Sequence, residues 1–253
     1  MVRGLYTAAT GMMVQRNKMD VLTNNLVNAE TTGFKKDTLV TTTFNEEIIK
    51  RLNDPSVKVY GGVDVGPYSY GTHVDEIVTD FSSGAFEGTG VSTDLAITGD
   101  GFFTIETEEG VRYTRSGNFS VDGNGYLVTA DGHYVLGTEG RINIGTTEFE
   151  VLANGVINVD GRNVGRLRIE TFEDEGVLRK EGNNLYYAYG GAAAVPANGA
   201  VVRQGMQELS NVNVIDEITD MITVYRKYEA SQKIVSITDE SLGLAVKLGS
   251  LGG

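Results

Sequence analysis

The 253-residue chain contains no cysteine and no tryptophan, and has only three prolines and two histidines. Without cysteine there is no disulfide framework, no thiolate nucleophile and no Cys-type zinc site. His73 and His133 stand alone, without a second ligand at helical or hairpin spacing, so neither metal nor cofactor is expected. Positive charge is scarce as well: 21 Lys and Arg against 34 Asp and Glu give a net charge of −13. That balance argues against nucleic acid, whose binders need cations to neutralise phosphates, and an anionic membrane surface is disfavoured for the same reason. Long apolar runs are missing too. No stretch reaches the roughly 18 apolar residues of a membrane span, and residues 1–11 lack the apolar centre of a secretory signal. The chain reads as neither membrane-spanning nor conventionally secreted.

Catalytic constellations are equally sparse. Among so many carboxylates, Asp94 with Asp100, or Glu106 with Glu108 and Glu109, is the sort of pair a glycosidase uses, but solvated turn residues explain them more simply. Asp122-Gly123-Asn124-Gly125-Tyr126 begins like a calcium loop, then places Tyr126 and Leu127 where an oxygen ligand and a glycine are required. Asn118-Phe119-Ser120 fits a glycosylation sequon, a pattern common by chance. Ser116 lacks the spacing of a nucleophile elbow. No enzymatic activity is expected.

What the chain does have is a three-part distribution of glycine. Of 33 glycines, 26 lie between Gly61 and Gly205, so helix-compatible ends flank a glycine-rich middle. Leu5, Ala9, Met12, Met19, Leu22 and Leu26 share one helical face and predict a helix over about residues 4–28, stopping before Thr31-Thr32-Gly33. Residues 39–44 read as extended and 45–52 as a possible short helix. Near the end, Val214, Ile218, Met221, Tyr225, Tyr228, Gln232, Val235, Asp239, Leu242 and Val246 recur in alternating steps of four and three, a heptad seam on a helix over 213–248. Asn213 is placed to cap its start, Asp216, Glu217 and Asp220 suit its positive end, and Lys247 with Gly249 suits its close. So long a seam calls for a second helix as partner, and the two ends can form an antiparallel pair. The near-neutral, opposite-signed ends fit such a pairing, with the acidic middle facing solvent. A lone helix is marginal without packing, so both tails are expected to be disordered in a free subunit and to fold on assembly.

The middle reads as β. Segments 95–98, 102–106, 111–114, 118–121, 126–129, 133–136, 156–159 and 166–171 are bounded by Asp-Gly, Glu-Gly and Asn-Gly turn dipeptides. The expected fold is mainly β with long terminal α-helices: an antiparallel barrel or sandwich, flanked by N- and C-terminal helices forming a coiled-coil-like inner layer. An adhesive or carbohydrate-binding β domain with coiled-coil tails fits this outline too, although its usual aromatic platform has no tryptophan to build on.

Three motifs carry a more specific resemblance. They are Arg3-Gly4-Leu5-Tyr6-Thr7-Ala8-Ala9-Thr10-Gly11-Met12 with Asp20, Asn24-Asn25-Leu26-Val27-Asn28, Thr31 and Gly33-Phe34-Lys35; then Gly99-Asp100-Gly101-Phe102-Phe103, Tyr113-Thr114-Arg115-Ser116-Gly117-Asn118-Phe119 and Gly125-Tyr126-Leu127-Val128-Thr129; then Gly205, Glu208, Ser210-Asn211-Val212-Asn213, Met221-Ile222, Tyr225-Arg226, Tyr228-Glu229 and Thr238-Asp239-Glu240. In this order the set resembles the flagellar basal-body rod proteins, of the proximal or distal rod kind, with Val27 departing from the family's usual alanine. The resemblance implies a structural rod subunit in the basal body, exported uncleaved by the flagellar type III apparatus, polymerising helically around the export channel and transmitting torque between motor and hook. Its implied partners are further copies of itself, other rod and hook proteins and the export apparatus, with no nucleic acid and no membrane insertion. Residues 1–40 and 206–253 would form the inner tube, 41–75 a variable segment and 76–205 the outer β domain. Packing would fall to Leu5, Ala9, Met12, Leu26, Met221, Ile222, Tyr225, Tyr228 and Leu242. Asn24, Asn25 and Asn28 would satisfy polar groups, and Gly33 would supply the turn after the first helix. Phe34, Asn211, Asn213 and Glu229 complete the expected assembly and packing set.

Overall fold

The computed structural model describes residues 2–51 and 63–250. The chain divides into two compact units. The first comprises Met1–Leu26, Asp37–Val78 and Val214–Gly253, and the second Val27–Lys36 and Thr79–Asn213, so the chain passes between them four times.

In the first unit, helix α1 spans Val2–Val27 and helix α2 spans Val214–Ser250. At 37 residues, α2 is about 55 Å long. Asp216 and Glu217 occupy its first turn and Lys247 its last, each favourable to the helix dipole. Two contacts fix how the helices run. Asn25 Nδ2 donates to Glu217 Oε2 (3.2 Å), and a Cβ on Gly11 would lie 3.9 Å from Ser231 Oγ. Fourteen residues separate the contact positions on each helix, so the pair is antiparallel and in step.

Among the described residues four strands complete this unit: Asp37–Thr43 pairs with Thr72–Thr79, and Glu47–Arg51 with Val63–Tyr68. The short helix expected over 45–52 is therefore a strand, as far as the described residues reach. Its local sequence is compatible with helix, but Ile48 and Ile49 lie across from Pro67 and Gly66, and Lys50 bridges Asp64 at 3.5 Å. Cross-strand pairing overrides a weak local preference. Phe44 stacks on His73 with ring centroids 4.8 Å apart, and Tyr6 of α1 lies 6.4 Å from Phe44. Gly71 is buried, and a Cβ there would lie 2.2 Å from Thr10 Oγ1, so a larger residue would displace Thr10.

The second unit is the β domain. Its largest sheet runs in the order Leu178–Gly182, Leu185–Ala188, Gly110–Thr114, Phe102–Thr107, Tyr134–Gly137, Leu127–Thr129 and Phe119–Val121. Glu150–Val151, Val156–Val159 and Arg162–Arg166 form a three-stranded sheet, while Val201–Gln204 pairs with Leu95–Thr98 and Met206–Glu208 with Phe86–Gly88. The sheets do not close, so the architecture is a sandwich rather than a barrel. Strand Phe102–Thr107 is covered on both faces. Phe103 and Ile105 join the main core with Leu95, Ile97, Phe119, Leu127 and Val135, whereas Phe102 points the other way into a second cluster with Tyr113, Phe172 and Tyr186.

Turn chemistry explains the spacing of these strands. Asp160 and Gly161 both have positive φ (48° and 75°), the geometry of the tightest hairpin turn. Asp122 Oδ1 accepts from Asn124 N (3.0 Å) and Tyr126 N (2.7 Å), so this carboxylate builds a turn. The single strand expected over 166–171 is two. Arg162–Arg166 pairs with Val156–Val159, and Ile169–Thr171 pairs with Phe102 and Phe103. Between them the chain changes sheet, with Leu167 N donating to Gly155 O and Arg168 N to Leu136 O.

Candidate functional site

The heptad seam of α2 divides between a covered and an exposed surface. The residues turned inward are Glu217, Met221, Val224, Tyr228, Ser231, Val235, Thr238 and Leu242. Four of the ten expected seam residues are among them: Met221, Tyr228, Val235 and Leu242 are partly covered. The other six are outside. Val214, Ile218, Tyr225, Gln232, Asp239 and Val246 are exposed, as are Ile222 and Glu229. Apolar residues flank the Met221–Leu242 column on both sides, and one partner helix covers only one flank. It covers the flank carrying Ser231 and Thr238, where small side chains and Gly11 permit close approach. On α1, Leu22 is buried and Leu5, Ala9, Met12, Met19 and Leu26 are partly buried, while the buried face is completed by Ala8, Val14 and Asn25, which the expected stripe does not include.

Two apolar stripes on α2 are left uncovered. Ile215, Ile218, Ile222 and Tyr225 are 43–74% exposed, and Ile234, Ile237, Leu244 and Leu248 are 51–72% exposed. The helical repeat sets the stripes roughly 90° apart, each on a different flank of the inward face.

Beneath the pair lies a polar clamp. Asn25 is fully buried; its Nδ2 donates to Asp37 O (2.8 Å) as well as to Glu217, and its Oδ1 accepts from Asp37 N (3.0 Å). One amide thus pairs with both backbone groups of Asp37 as a neighbouring strand would, and also holds a carboxylate of α2. Asn24 is exposed on α1. Asn28 Oδ1 accepts from Thr31 Oγ1 (3.2 Å), and Asn213 stands immediately before α2.

In the β unit, residues 31–36 thread through a set of specific contacts. Gly33 has φ +68°, its N–H donates to Glu208 O (2.7 Å), and a Cβ there would lie 2.4 Å from Ser116 N. Only glycine fits this turn. Phe34 is buried, with Lys180 Nζ 4.1 Å from its ring centroid. Lys35 is fully buried and donates to Glu208 Oε1 (2.6 Å) and to Ser82 O (2.8 Å). Gly84 N donates to the same Oε1 (3.1 Å), and Arg115 Nη1 stands 3.5 Å from Glu208 Oε2, its guanidinium over the Phe102 ring at 5.2 Å. Burial holds the Lys35 ammonium below the usual lysine range, although Glu208 pulls it upward. Burial likewise raises the nearby Glu175 carboxyl, with Asp100 adding to the effect. Asn211 completes the assembly: its Oδ1 accepts from Lys36 N (2.8 Å), and its Nδ2 donates to Asp80 O (2.9 Å) and to Ser82 O and Oγ.

The charged members of these contacts escape a reading by periodicity, which looks for apolar residues. A signal was nevertheless present. Lys35, Arg115 and Glu208 each sit inside one of the three motifs, and the structure brings the three motifs together at this cluster.

Comparison with known proteins follows the same division. Residues 5–35 match the family described as flagella basal body rod protein. Residues 96–159 match the D1 domain of the flagellar hook protein FlgE/F/G family, and residues 203–248 the C-terminal region of flagellar basal body rod FlgEFG proteins. Lys35 and Arg115 fall in the first two matches and Glu208 in the third. Over whole chains, the protein is 35% identical to the flagellar basal-body rod protein FlgG of Bacillus subtilis, covering 98% of this chain and 99% of the relative. It is 34% identical to the rod protein FlgF of Caulobacter vibrioides over 99% of this chain and all of the relative. It is 31% identical to the flagellar hook-basal body complex protein FlhO of Bacillus subtilis over 97% of both. These matches give the adhesin reading no support. The chain belongs to the flagellar basal-body rod protein family, as a structural, non-enzymatic component of the basal body.

Proposed function

We propose that this rod subunit polymerises helically around the export channel through the uncovered flanks of α2, takes its place beside other rod and hook proteins, and transmits torque between motor and hook. The observation that carries this reading is the pair of apolar stripes left after α1 has covered its share of α2. Exposed apolar area of that extent is costly in water and is removed by association. Two stripes on different flanks suit contacts that do not close on a twofold axis, which open helical growth requires.

On this reading Leu5, Ala9, Met12, Leu26, Met221, Tyr228 and Leu242 hold the pair together, while Ile222, Tyr225 and Glu229 face neighbouring copies. Residues 1–40 and 206–253 serve as the inner tube, 41–75 as the variable segment and 76–205 as the outer domain. The chain passes the flagellar export apparatus before it docks.

Replacing both Ile222 and Tyr225 by Asp tests the surface. The expected outcome is a soluble subunit with an intact β domain by circular dichroism that fails to enter rods seen by electron cryotomography of the cell envelope. Normal incorporation would remove this stripe from assembly.

A further inference from the structure

The buried charges come from distant parts of the chain, with Lys35 and Glu208 separated by 173 positions. We propose that segment 201–211 is the closing element of the β unit, so that residues 27–36 and 79–200 do not complete their core until it arrives with the counter-charge for two buried cations. Lys35 is 0% and Arg115 2% exposed at the side chain, and the carboxylate that meets both belongs to Glu208, itself 0% exposed. Asp80 and Glu175 act on Lys35 only through space, and neither is fully buried. Before Glu208 is in place, closing the domain would strand two cations away from water.

The same short segment supplies apolar and polar closure independently. Leu95, Ala96 and Ile97 lie at the centre of the core, yet the strand they form pairs along its length with Val201–Gln204. The Gln204 side chain donates to Ser92 O and Phe149 O (2.8 Å each) and accepts from Val151 N (2.9 Å). Gly205 N donates to Asp94 O and Leu209 N to Ala85 O, both at 2.8 Å. A chain emerging amino end first therefore stays open until most of it is free, which keeps it extended for any passage through a narrow channel. The usefulness of that delay rests on the export reading, but the folding order does not.

Pulse-labelled hydrogen exchange during refolding of the full chain tests the order. Amides in Phe102–Thr107 and Tyr134–Gly137 are expected to gain protection in the same kinetic phase as those in Val201–Gln204. Protection of the former pair in an earlier phase would overturn the proposal. In the full-length Glu208→Gln variant the same strands are expected to lose protection by about tenfold or more. Protection equal to the parent chain would show that the buried cations do not need this carboxylate, and would overturn it too.

Discussion

Two side-chain amides hold consecutive residues of the backbone: Asn25 takes both polar groups of Asp37, and Asn211 takes the N–H of Lys36. A buried amide that leaves no group unsatisfied contributes modestly, but its removal exposes the full desolvation cost of each partner. Replacing Asn25 by Ala leaves the Asp37 N–H without its acceptor and Glu217 Oε2 without this donor. The expected loss is about 2–4 kcal/mol of stability, read as a lower urea midpoint with unchanged slope. Asn25→Asp should be at least as damaging, since it sets a second carboxylate against Glu217. These roles were partly legible in the sequence. The family motif drew attention to Asn25 and Asn211, but a one-dimensional pattern cannot show that their partners are backbone groups twelve and 175 positions away.

At the scale of elements, what could be read depended on where the deciding contacts lie. Both long helices, the turn dipeptides and most strands of the β unit follow from local periodicity and glycine placement. The Glu47–Arg51 strand does not, because its partner is a different segment. The α2 seam is an intermediate case. Its central column was visible, but which flank faces inward is settled by Gly11 and the small residues Ser231 and Thr238, which permit close packing. That assignment separates two neighbouring positions sharply. Val224 is 2% exposed and Ile222 51%, so Val224→Asp should cost about 3 kcal/mol or more through a buried charge. Ile222→Asp should leave subunit stability nearly unchanged. Thermal melts of the two single variants, monitored at a helix wavelength, distinguish them.

For the whole molecule the governing quantities are the net charge of −13 and the uncovered apolar area on α2. On the proposed mode of assembly, copies repel at long range and attract on contact. Added salt shortens the range of the repulsion and leaves apolar burial intact, with a screening length near 10 Å at about 0.1 M. Association measured by light scattering is therefore expected to increase between low and moderate sodium chloride concentration. A decrease would mean that opposite charges, rather than apolar stripes, dominate the contact. The four passages of the chain between its two units bear on load. Two bodies joined by a single strand can swivel freely about it. Joined by four, a pull on either body is divided among four covalent paths. The connectivity itself thus spreads load across the chain rather than concentrating it at one linker.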